Sequence, residues 1–250
     1  PPALKWLWHF AQDIWQHVKA RRLDTGSVFR RKTCLMKTRI LLLAVWCAAA
    51  LAAPGQESSA DTDAEAAYTR TINERAAKIV DTLGLTNADQ ATRVRAIIAR
   101  QYRDLRTIHD ERDAAIRQAR QSAGDKAAVD AAVRKLEDEA RVRSDKLHGE
   151  YLARLSAELS PEQVDKVKDG MTYGVLEVTY NAYLKMFPDL TAEQKKQIRD
   201  WLVEAREIAM DQGSSNEKHA IFNKYKGRIN NYLVRAGYDL KKGEENLRRN

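Results

Sequence analysis

The chain has few cysteines, and both of them lie near its beginning, at Cys34 and Cys47. Residues 53–250 contain none, which excludes a disulfide framework and a thiolate metal centre in that part of the chain. A segment of this length buries enough apolar surface to fold on its core alone. We therefore expect a domain that is stabilised by packing rather than by cross-links.

Residues 53–250 also lack an excess of charge of either sign. Of the 43 basic and 35 acidic residues of the chain, nine basic and two acidic ones lie in residues 1–52. The remainder holds 34 basic and 33 acidic residues, so the net charge of +8 arises almost entirely from the first segment. Without a broad positive field there is little to attract a phosphate backbone, and we expect no nucleic-acid partner.

Sequence patterns of common catalytic and cofactor sites are absent from residues 53–250. The segment contains no GxxxxGK[ST], GxGxxG, HExxH, GxSxG or CxxC pattern. His109, His148 and His219 each stand without a second histidine three or four residues away. Metal sites usually show clustered ligands, so isolated histidines are more often incidental. We expect no catalytic residues, no cofactor and no metal in this part of the chain.

A short apolar run at residues 40–51 carries the pattern of a secretory signal. Residues 36–39 supply a basic start, and Ala50, Leu51 and Ala52 place small residues at the −3 and −1 positions of a cleavage site. The run is shorter than the roughly 20 residues that span a bilayer. We interpret residues 36–52 as a signal peptide and expect export to the periplasm or the extracellular space, with membrane contact only through this transient segment.

The segment before this signal has two interpretations. Residues 1–35 contain three tryptophans and two basic clusters, which suit an interfacial amphipathic helix. They also suit an upstream extension that is not native, with Met36 as the true initiator. We favour the extension, because a signal peptide acts at the N-terminus. After the signal, residues 53–63 are small and polar and predict a linker.

Apolar residues recur at helical spacing through residues 64–250, which predicts a single all-α domain. The expected helices cover about residues 64–83, 86–122, 126–159, 161–170, 180–186, 191–211 and 214–237. Capping boxes mark several starts, at Thr86, Ser160, Thr191 and Ser214. The stretch after Met171 predicts an irregular connection before residue 180, and the tail from Asp239 predicts a short charged end.

The two longest predicted helices are joined by a short turn at residues 123–125. Two long helices with so short a connection predict an antiparallel hairpin. Its distal part, residues 112–145, is polar and rich in alanine, so we expect it to project into solvent or to meet a protein partner. The remaining helices predict a C-terminal helical bundle.

Aromatic residues are scarce up to residue 170 and concentrated after it. Residues 53–170 hold three tyrosines, whereas residues 173–238 hold nine aromatic residues among asparagines and cations. Rings that pack on CH surfaces, beside groups that bind hydroxyls, suit a carbohydrate ligand. The candidate ligand-binding residues are Tyr173, Tyr180, Trp201, Arg228, Asn230 and Asn231. The alternative is a compact aromatic core in which Arg228 or Asn231 merely ties down the loop at Tyr173 and Gly174.

Three carboxylates, Glu204, Glu207 and Asp211, follow each other at i, i+3 and i+7 and share one helical face. One interpretation is an acid/base pair of the kind that cleaves glycosidic bonds. The other is an ordinary solvated face, which we favour because such faces are common on surface helices.

Several segments resemble the domain of unknown function 3826 family. They are residues 159–176, LSPEQVDKVKDGMTYGVL, residues 201–207, WLVEARE, and residues 224–232, KYKGRINNY. The resemblance extends over about residues 64–240. It implies a secreted, bacterial, helical protein that accompanies polysaccharide degradation and binds sugar, and it brings no established catalytic residues.

A weaker resemblance concerns residues 190–194, LTAEQ, which match the LTxxQ signature of small helical periplasmic chaperones. The same letters also form an ordinary capping box. We therefore expect an exported, non-enzymatic, carbohydrate-associated protein. The alternatives, in order, are a periplasmic helical chaperone or envelope-stress factor that uses the hairpin as its surface, and a glycan-cleaving enzyme.

Overall fold

The computed structural model describes residues 57–122 and 124–249. These residues form eight helices and contain no strand, so the predicted all-α class is confirmed. The helices are α1 (Glu57–Asp81), α2 (Ala88–Gln121), α3 (Lys126–Ser156), α4 (Pro161–Met171), α5 (Val175–Met186), α6 (Ala192–Met210), α7 (Ser215–Arg235) and α8 (Leu240–Arg249). The proposed extension and signal peptide, residues 1–52, lie outside the described residues.

Helices α2 and α3 form the predicted antiparallel hairpin. At one end Arg93 pairs with Glu158, with 2.7 Å between Nε and Oε1. Further along, Arg143 pairs with Glu111 at 2.7 Å, so residue numbers rise on one helix as they fall on the other. The helices end and restart on either side of the predicted turn, at Gln121 and Lys126, although Ala123 itself is not among the described residues.

The predicted capping box at Thr86 is wrong by one residue. The N-cap of α2 is Asn87, whose side-chain oxygen accepts the N–H groups of Asp89 at 2.9 Å and Gln90 at 3.1 Å. Asparagine accepts hydrogen bonds from these first N–H groups at least as well as threonine does, so the helix begins after Asn87 rather than after Thr86. The other predicted boxes are formed, at Ser160, Thr191 and Ser214.

Two helices begin earlier than the sequence predicts. Helix α1 begins at Glu57, so residues 57–63 of the expected linker are helical. Helix α5 begins at Val175 rather than near Tyr180, directly after a pair of residues in left-handed conformation. The added residues are polar in α1 and include β-branched residues in α5, so the helical pattern is weak there. Each helix nevertheless extends through these residues, because adding a residue to a helix is far easier than starting one.

Helix α8 corrects the expectation of a short charged tail. It packs against α5, where Gly243 is buried and a Cβ at that position would lie 2.6 Å from Cζ of Phe187. A short charged segment is barely helical by itself, so packing against α5 supplies the stability that local propensity lacks.

The described residues pack around two hydrophobic clusters. The hairpin cluster joins α1 to α4 and includes the fully buried Ile98, Leu155 and Val167. The bundle cluster joins α5 to α8 and includes Leu202 and Phe222. The end of α6 also packs into the hairpin cluster, so this helix connects the two. Within the described part of the chain, no helix combines the length and apolarity needed to cross a membrane.

Candidate functional site: a tyrosine cavity beside a histidine cavity

Two cavities meet at the loop between α6 and α7. The smaller, of about 280 Å³, is here named the tyrosine cavity, and its lining includes Tyr68, Arg75, Tyr102, Arg106, Tyr173, Lys218, loop residues 212–214 and Ser215 at the start of α7. The larger, of about 510 Å³, is named the histidine cavity, and its lining includes His109, Arg112, Ser144, His148, Glu207, Asp211 and Gln212. Gln212 lines both, so the loop that carries it separates the two cavities.

Tyr173 closes helix α4 in an unusual backbone conformation. The N–H of Gly174 donates to the carbonyl of Asp169 at 2.8 Å, and the N–H of Tyr173 donates to that of Gly170 at 3.4 Å. These two bonds define a Schellman motif, which needs a left-handed residue at the position of Tyr173. Its φ is accordingly 60°. A residue with a Cβ is destabilised there by about 1 kcal/mol relative to glycine.

Helix α7 ends in the same motif with the usual residue. There the N–H of Tyr238 donates to the carbonyl of Leu233 at 3.0 Å, and the left-handed position is Gly237 with φ 91°. Tyr173 is 47% exposed, and its ring stacks on His219, with ring centroids 5.9 Å apart. Because about half of the residue is exposed, core packing does not account for a tyrosine at this position.

The other tyrosines of the cavity are held by their neighbours. The hydroxyl of Tyr68 donates to the carbonyl of Tyr102 at 2.9 Å. The guanidinium of Arg106 lies 4.1 Å from the Tyr68 ring centroid and pairs with Glu65 at 2.9 Å and Asp110 at 3.2 Å. Burial raises the pKa of the Tyr102 hydroxyl well above its usual range, so this ring stays neutral. This side of the cavity is therefore held in place by contacts within the protein.

Lys218 supplies a buried cation to the same cavity. Its side chain comes from the first turns of α7, and the residue is 5% exposed. Nζ donates to the carbonyls of Met171 at 3.2 Å and Met210 at 3.1 Å, which end α4 and α6. Cations are favoured at helix C-termini, which explains the position of Nζ. Burial nevertheless lowers the pKa of Lys218 to about 8.

In the histidine cavity, both helices of the hairpin hold the same residue, Asp211 at the end of α6. Nδ1 of His148 lies 2.7 Å from Oδ2 of Asp211. Nε2 of His109 lies 2.7 Å from the Asp211 carbonyl, and the guanidinium of Arg112 lies 3.0 Å from Nδ1 of the same ring. In the tautomer that satisfies both contacts, Nε2–H of His109 donates and Nδ1 accepts. The hydrogen bond with Asp211 raises the pKa of His148.

These histidine contacts position the loop that forms a wall of the tyrosine cavity. The chain passes from Asp211 through Gly213, where a Cβ would lie 3.0 Å from the His109 ring, and then starts α7. His109 and His148 lie 39 positions apart in sequence and give no common signal there. They meet only because α2 and α3 are antiparallel.

The three carboxylates of α6 are divided between two surroundings. Glu207 receives Nζ of Lys168 at 2.9 Å and a guanidinium nitrogen of Arg206 at 3.2 Å. Glu204 lies instead beside Arg228, at 3.5 Å. Glu207 therefore joins α6 to α4 through Lys168, and Asp211 joins the end of α6 to the hairpin through His148. Neither sequence interpretation anticipated these roles.

Of the six predicted ligand-binding residues, the structure brings Trp201 and Arg228 into contact. The Arg228 guanidinium lies 4.5 Å from the Trp201 ring centroid, and Tyr232 meets the same ring edge-on at 5.3 Å. One face of Trp201 is thus already covered by a cation. Arg228 pairs with Glu204 rather than with the loop at Tyr173.

The remaining predicted residues lie apart. Tyr180 lies beside Arg199, with the guanidinium 5.2 Å from its ring centroid. Asn230 accepts the hydroxyl of Tyr183 at 2.7 Å, inside the bundle, and Asn231 is exposed. The expected bond between one of these amides and the Tyr173 loop is therefore not formed. Tyr173 is the member of the predicted set that lines the tyrosine cavity.

Sequence reasoning missed Arg75, Tyr102 and Lys218 as site residues. Arg75 and Tyr102 lie on α1 and α2, far from the aromatic concentration on which the prediction rested. Lys218 stands in an ordinary helix start and has no distinguishing neighbour in sequence. Among the described residues there is no group of three or more histidine, cysteine, aspartate or glutamate side chains arranged to hold a metal ion.

The fold and the cavity define a class: an all-helical hairpin-and-bundle domain with a tyrosine-lined pocket at the junction. The family model described as Protein of unknown function (DUF3826) matches residues 69–250. The chain belongs to this family, as the resemblance in its α4, α6 and α7 segments predicts. Comparison with curated proteins gives no match.

Proposed function

We propose that this chain is an exported, non-enzymatic sugar-binding protein and that the tyrosine cavity holds the sugar. The observation that carries the proposal is Tyr173, a large aromatic residue in a left-handed position that the equivalent motif of α7 gives to Gly237. Backbone strain of this kind concentrates at ligand sites, where the side chain is needed in one orientation. The strain is retained although about half of the residue is exposed.

The chemistry of the lining supports a sugar. Tyr68, Tyr102 and Tyr173 supply rings for the CH faces of a pyranose, and Arg75 and Ser215 supply donors for its hydroxyls. A volume of about 280 Å³ lies just below the range of small-molecule sites, which is about 300–1,000 Å³. The cavity therefore suits a single sugar unit, such as a chain end or a side branch, rather than several units of a polymer.

Order in the unliganded site supports the same conclusion. The bond from Tyr68 to Tyr102 and the ion pairs of Arg106 hold one wall, and His109 holds the loop that forms another. Binding to a site whose groups are already placed loses less conformational entropy. This matters for sugars, because each hydroxyl must exchange a good hydrogen bond with water for one with the protein.

The chaperone alternative has less support from the surface of the hairpin. The outward side of α3 carries ion pairs along its length, Lys126–Asp130, Lys135–Glu139 and Arg141–Asp145. Val142 is the one large hydrophobic residue that is well exposed among the described residues of α3. A surface that holds unfolded chains needs a contiguous apolar patch.

The test is a glycan array on the purified full chain, followed by calorimetric titration of the best ligand. Tyr173→Ala should weaken binding at least about tenfold, the size expected when a stacked ring is removed from a small ligand. Tyr180→Ala is the matched control, since Tyr180 is a half-buried aromatic residue in contact with an arginine outside the tyrosine cavity. If no glycan binds, or if only Tyr180→Ala loses binding, the proposal is wrong.

A further inference from the structure

The charges that line the tyrosine cavity do not balance. Its lining contains three cations, Arg75, Arg106 and Lys218, and one carboxylate, Asp110. Arg106 is compensated by Asp110 and by Glu65. Neither Arg75 nor Lys218 forms an ion pair with a described residue. The carboxylates of Asp211 and Glu217 act on Lys218 from outside the cavity lining, but they do not outweigh the effect of its burial.

Lys218 is the more informative of these two cations. A buried ammonium is costly where its desolvation is not offset, and the carboxylates of Asp211 and Glu217 offset that of Lys218 only in part. The carbonyls of Met171 and Met210 accept two of its three N–H bonds, and Nζ also lies 5.8 Å from the centroid of the Tyr102 ring. Burial first, and the charge of Arg75 in addition, lower the pKa of Lys218, while Asp211 and Glu217 raise it. An anion in the cavity would oppose this lowering through its charge.

Arg75 is a second cation at the cavity, and unlike Lys218 it does not bind the carbonyl groups at a helix end. It lies on α1, is exposed, and forms neither a hydrogen bond nor an ion pair with any described residue, yet it lines the cavity beside Lys218. Ser215, the first residue of α7, lines the same cavity. Its N–H group has no partner within the helix, because the first intrahelical donor of α7 is the N–H of Lys218. Such N–H groups and the positive end of the helix favour a negative group.

We infer that the sugar held in the tyrosine cavity is acidic: its ring carries a carboxylate or a sulfate ester that binds beside Arg75 and Lys218. This inference rests on the sugar-binding function proposed above and names the chemical class of its ligand. The rings of Tyr68, Tyr102 and Tyr173 contact the sugar, and its anionic substituent supplies the charge that the lining lacks.

The first experiment compares three probes by calorimetric titration of the full chain: galactose, galacturonic acid and galactose 6-sulfate. At least one acidic probe should bind about tenfold or more tightly than galactose, and its affinity should fall as salt is added. The preference between the two acidic probes identifies the substituent. Equal binding of all three, or a preference for galactose, overturns the acidic inference and leaves sugar binding intact, whereas no binding by any sugar here or on the glycan array overturns both.

The second experiment assigns the charge. Arg75→Gln should reduce the affinity for the acidic probe about tenfold more than the affinity for galactose, because glutamine keeps a hydrogen-bond donor for a hydroxyl but carries no charge for an anion. Arg70→Gln is the matched control, an exposed arginine of the same helix outside the cavity lining. An unchanged affinity in Arg75→Gln, or an equal loss in both variants, overturns the assignment.

Proton uptake gives a readout that a purely structural lysine would not change. Because the pKa of Lys218 is about 8, roughly half of this side chain is uncharged at pH 8. An anion that raises this pKa makes binding take up as much as about half a proton at pH 8 and almost none at pH 6. The uptake is measured by titration in buffers of different ionisation enthalpy. Absence of uptake with the acidic probe at pH 8 contradicts the contact with Lys218.

Discussion

Replacing Tyr173 by glycine and by alanine separates the backbone strain from the contribution of the ring. Both variants lose the same ring and its stacking on His219, so that loss cancels in the comparison. Glycine adopts φ 60° freely, whereas alanine is destabilised there by about 1 kcal/mol. Tyr173→Gly should therefore be more stable than Tyr173→Ala by about 1 kcal/mol, which is about 2–4 °C in Tm for a domain of this size.

The sign of this difference is diagnostic, because at ordinary positions alanine is the more stable of the two by about 0.5–1 kcal/mol. Urea unfolding followed by circular dichroism gives the free energy of unfolding of each variant. Gly237→Ala is the control, since it places alanine in the same motif with no atom within 4 Å of the new Cβ, and it should lose about as much. If alanine at residue 173 is as stable as glycine, the inference of strain is wrong.

The same two variants also test the function. Both should lose sugar binding equally, although their stabilities differ, because neither has the ring. Binding by Tyr173→Gly at the wild-type level would show that the ring is not a ligand contact, and a stability role through His219 would then be the better explanation of Tyr173.

Two further predictions concern stability. Because the hydrogen bond with Asp211 raises the pKa of His148, its stabilisation is complete below about pH 6.5 and is lost as the pH rises through the raised pKa. We expect Tm to fall across that window in the wild type and to fall less in His148→Gln, as measured by thermal unfolding at a series of pH values. Gly243→Ala should lower the free energy of unfolding by about 1–3 kcal/mol, because the new Cβ would lie 2.6 Å from the Phe187 ring.

Each of these predictions has an internal control. His219 has the opposite pH dependence. Burial lowers its pKa, so its contribution to stability is lost as the pH falls below about 6.5. An equal fall of Tm above that pH in wild type and His148→Gln would assign the effect to another group. For α8 the control is Gly227→Ala, an exposed position inside α7 with nothing within 4 Å of the new Cβ, which should be neutral or stabilising. Neutral behaviour of Gly243→Ala would contradict the close packing of α8 on α5.

The helices of this protein are largely determined by short-range information. The capping boxes that begin at Ser160 and Thr191 each involve residues within one turn of each other, so four consecutive residues specify them. The apolar periodicity of the hairpin helices is likewise local, and it predicted their bounds closely. Where local patterns were weak, as in α8, the prediction failed, because that helix is stabilised by its contact with α5 rather than by its own residues.

The tyrosine cavity was decided by tertiary structure alone. Its lining takes Arg75 from α1, Tyr102 from α2, Tyr173 from the end of α4 and Lys218 from α7, residues separated by many helical turns in sequence. The sequence named Tyr173, which lines this cavity, as a candidate residue, but it did not show that the backbone of Tyr173 is left-handed. It also did not show which cations lack partners, because charge balance is a property of groups brought together in space, and no periodicity along the chain reports it.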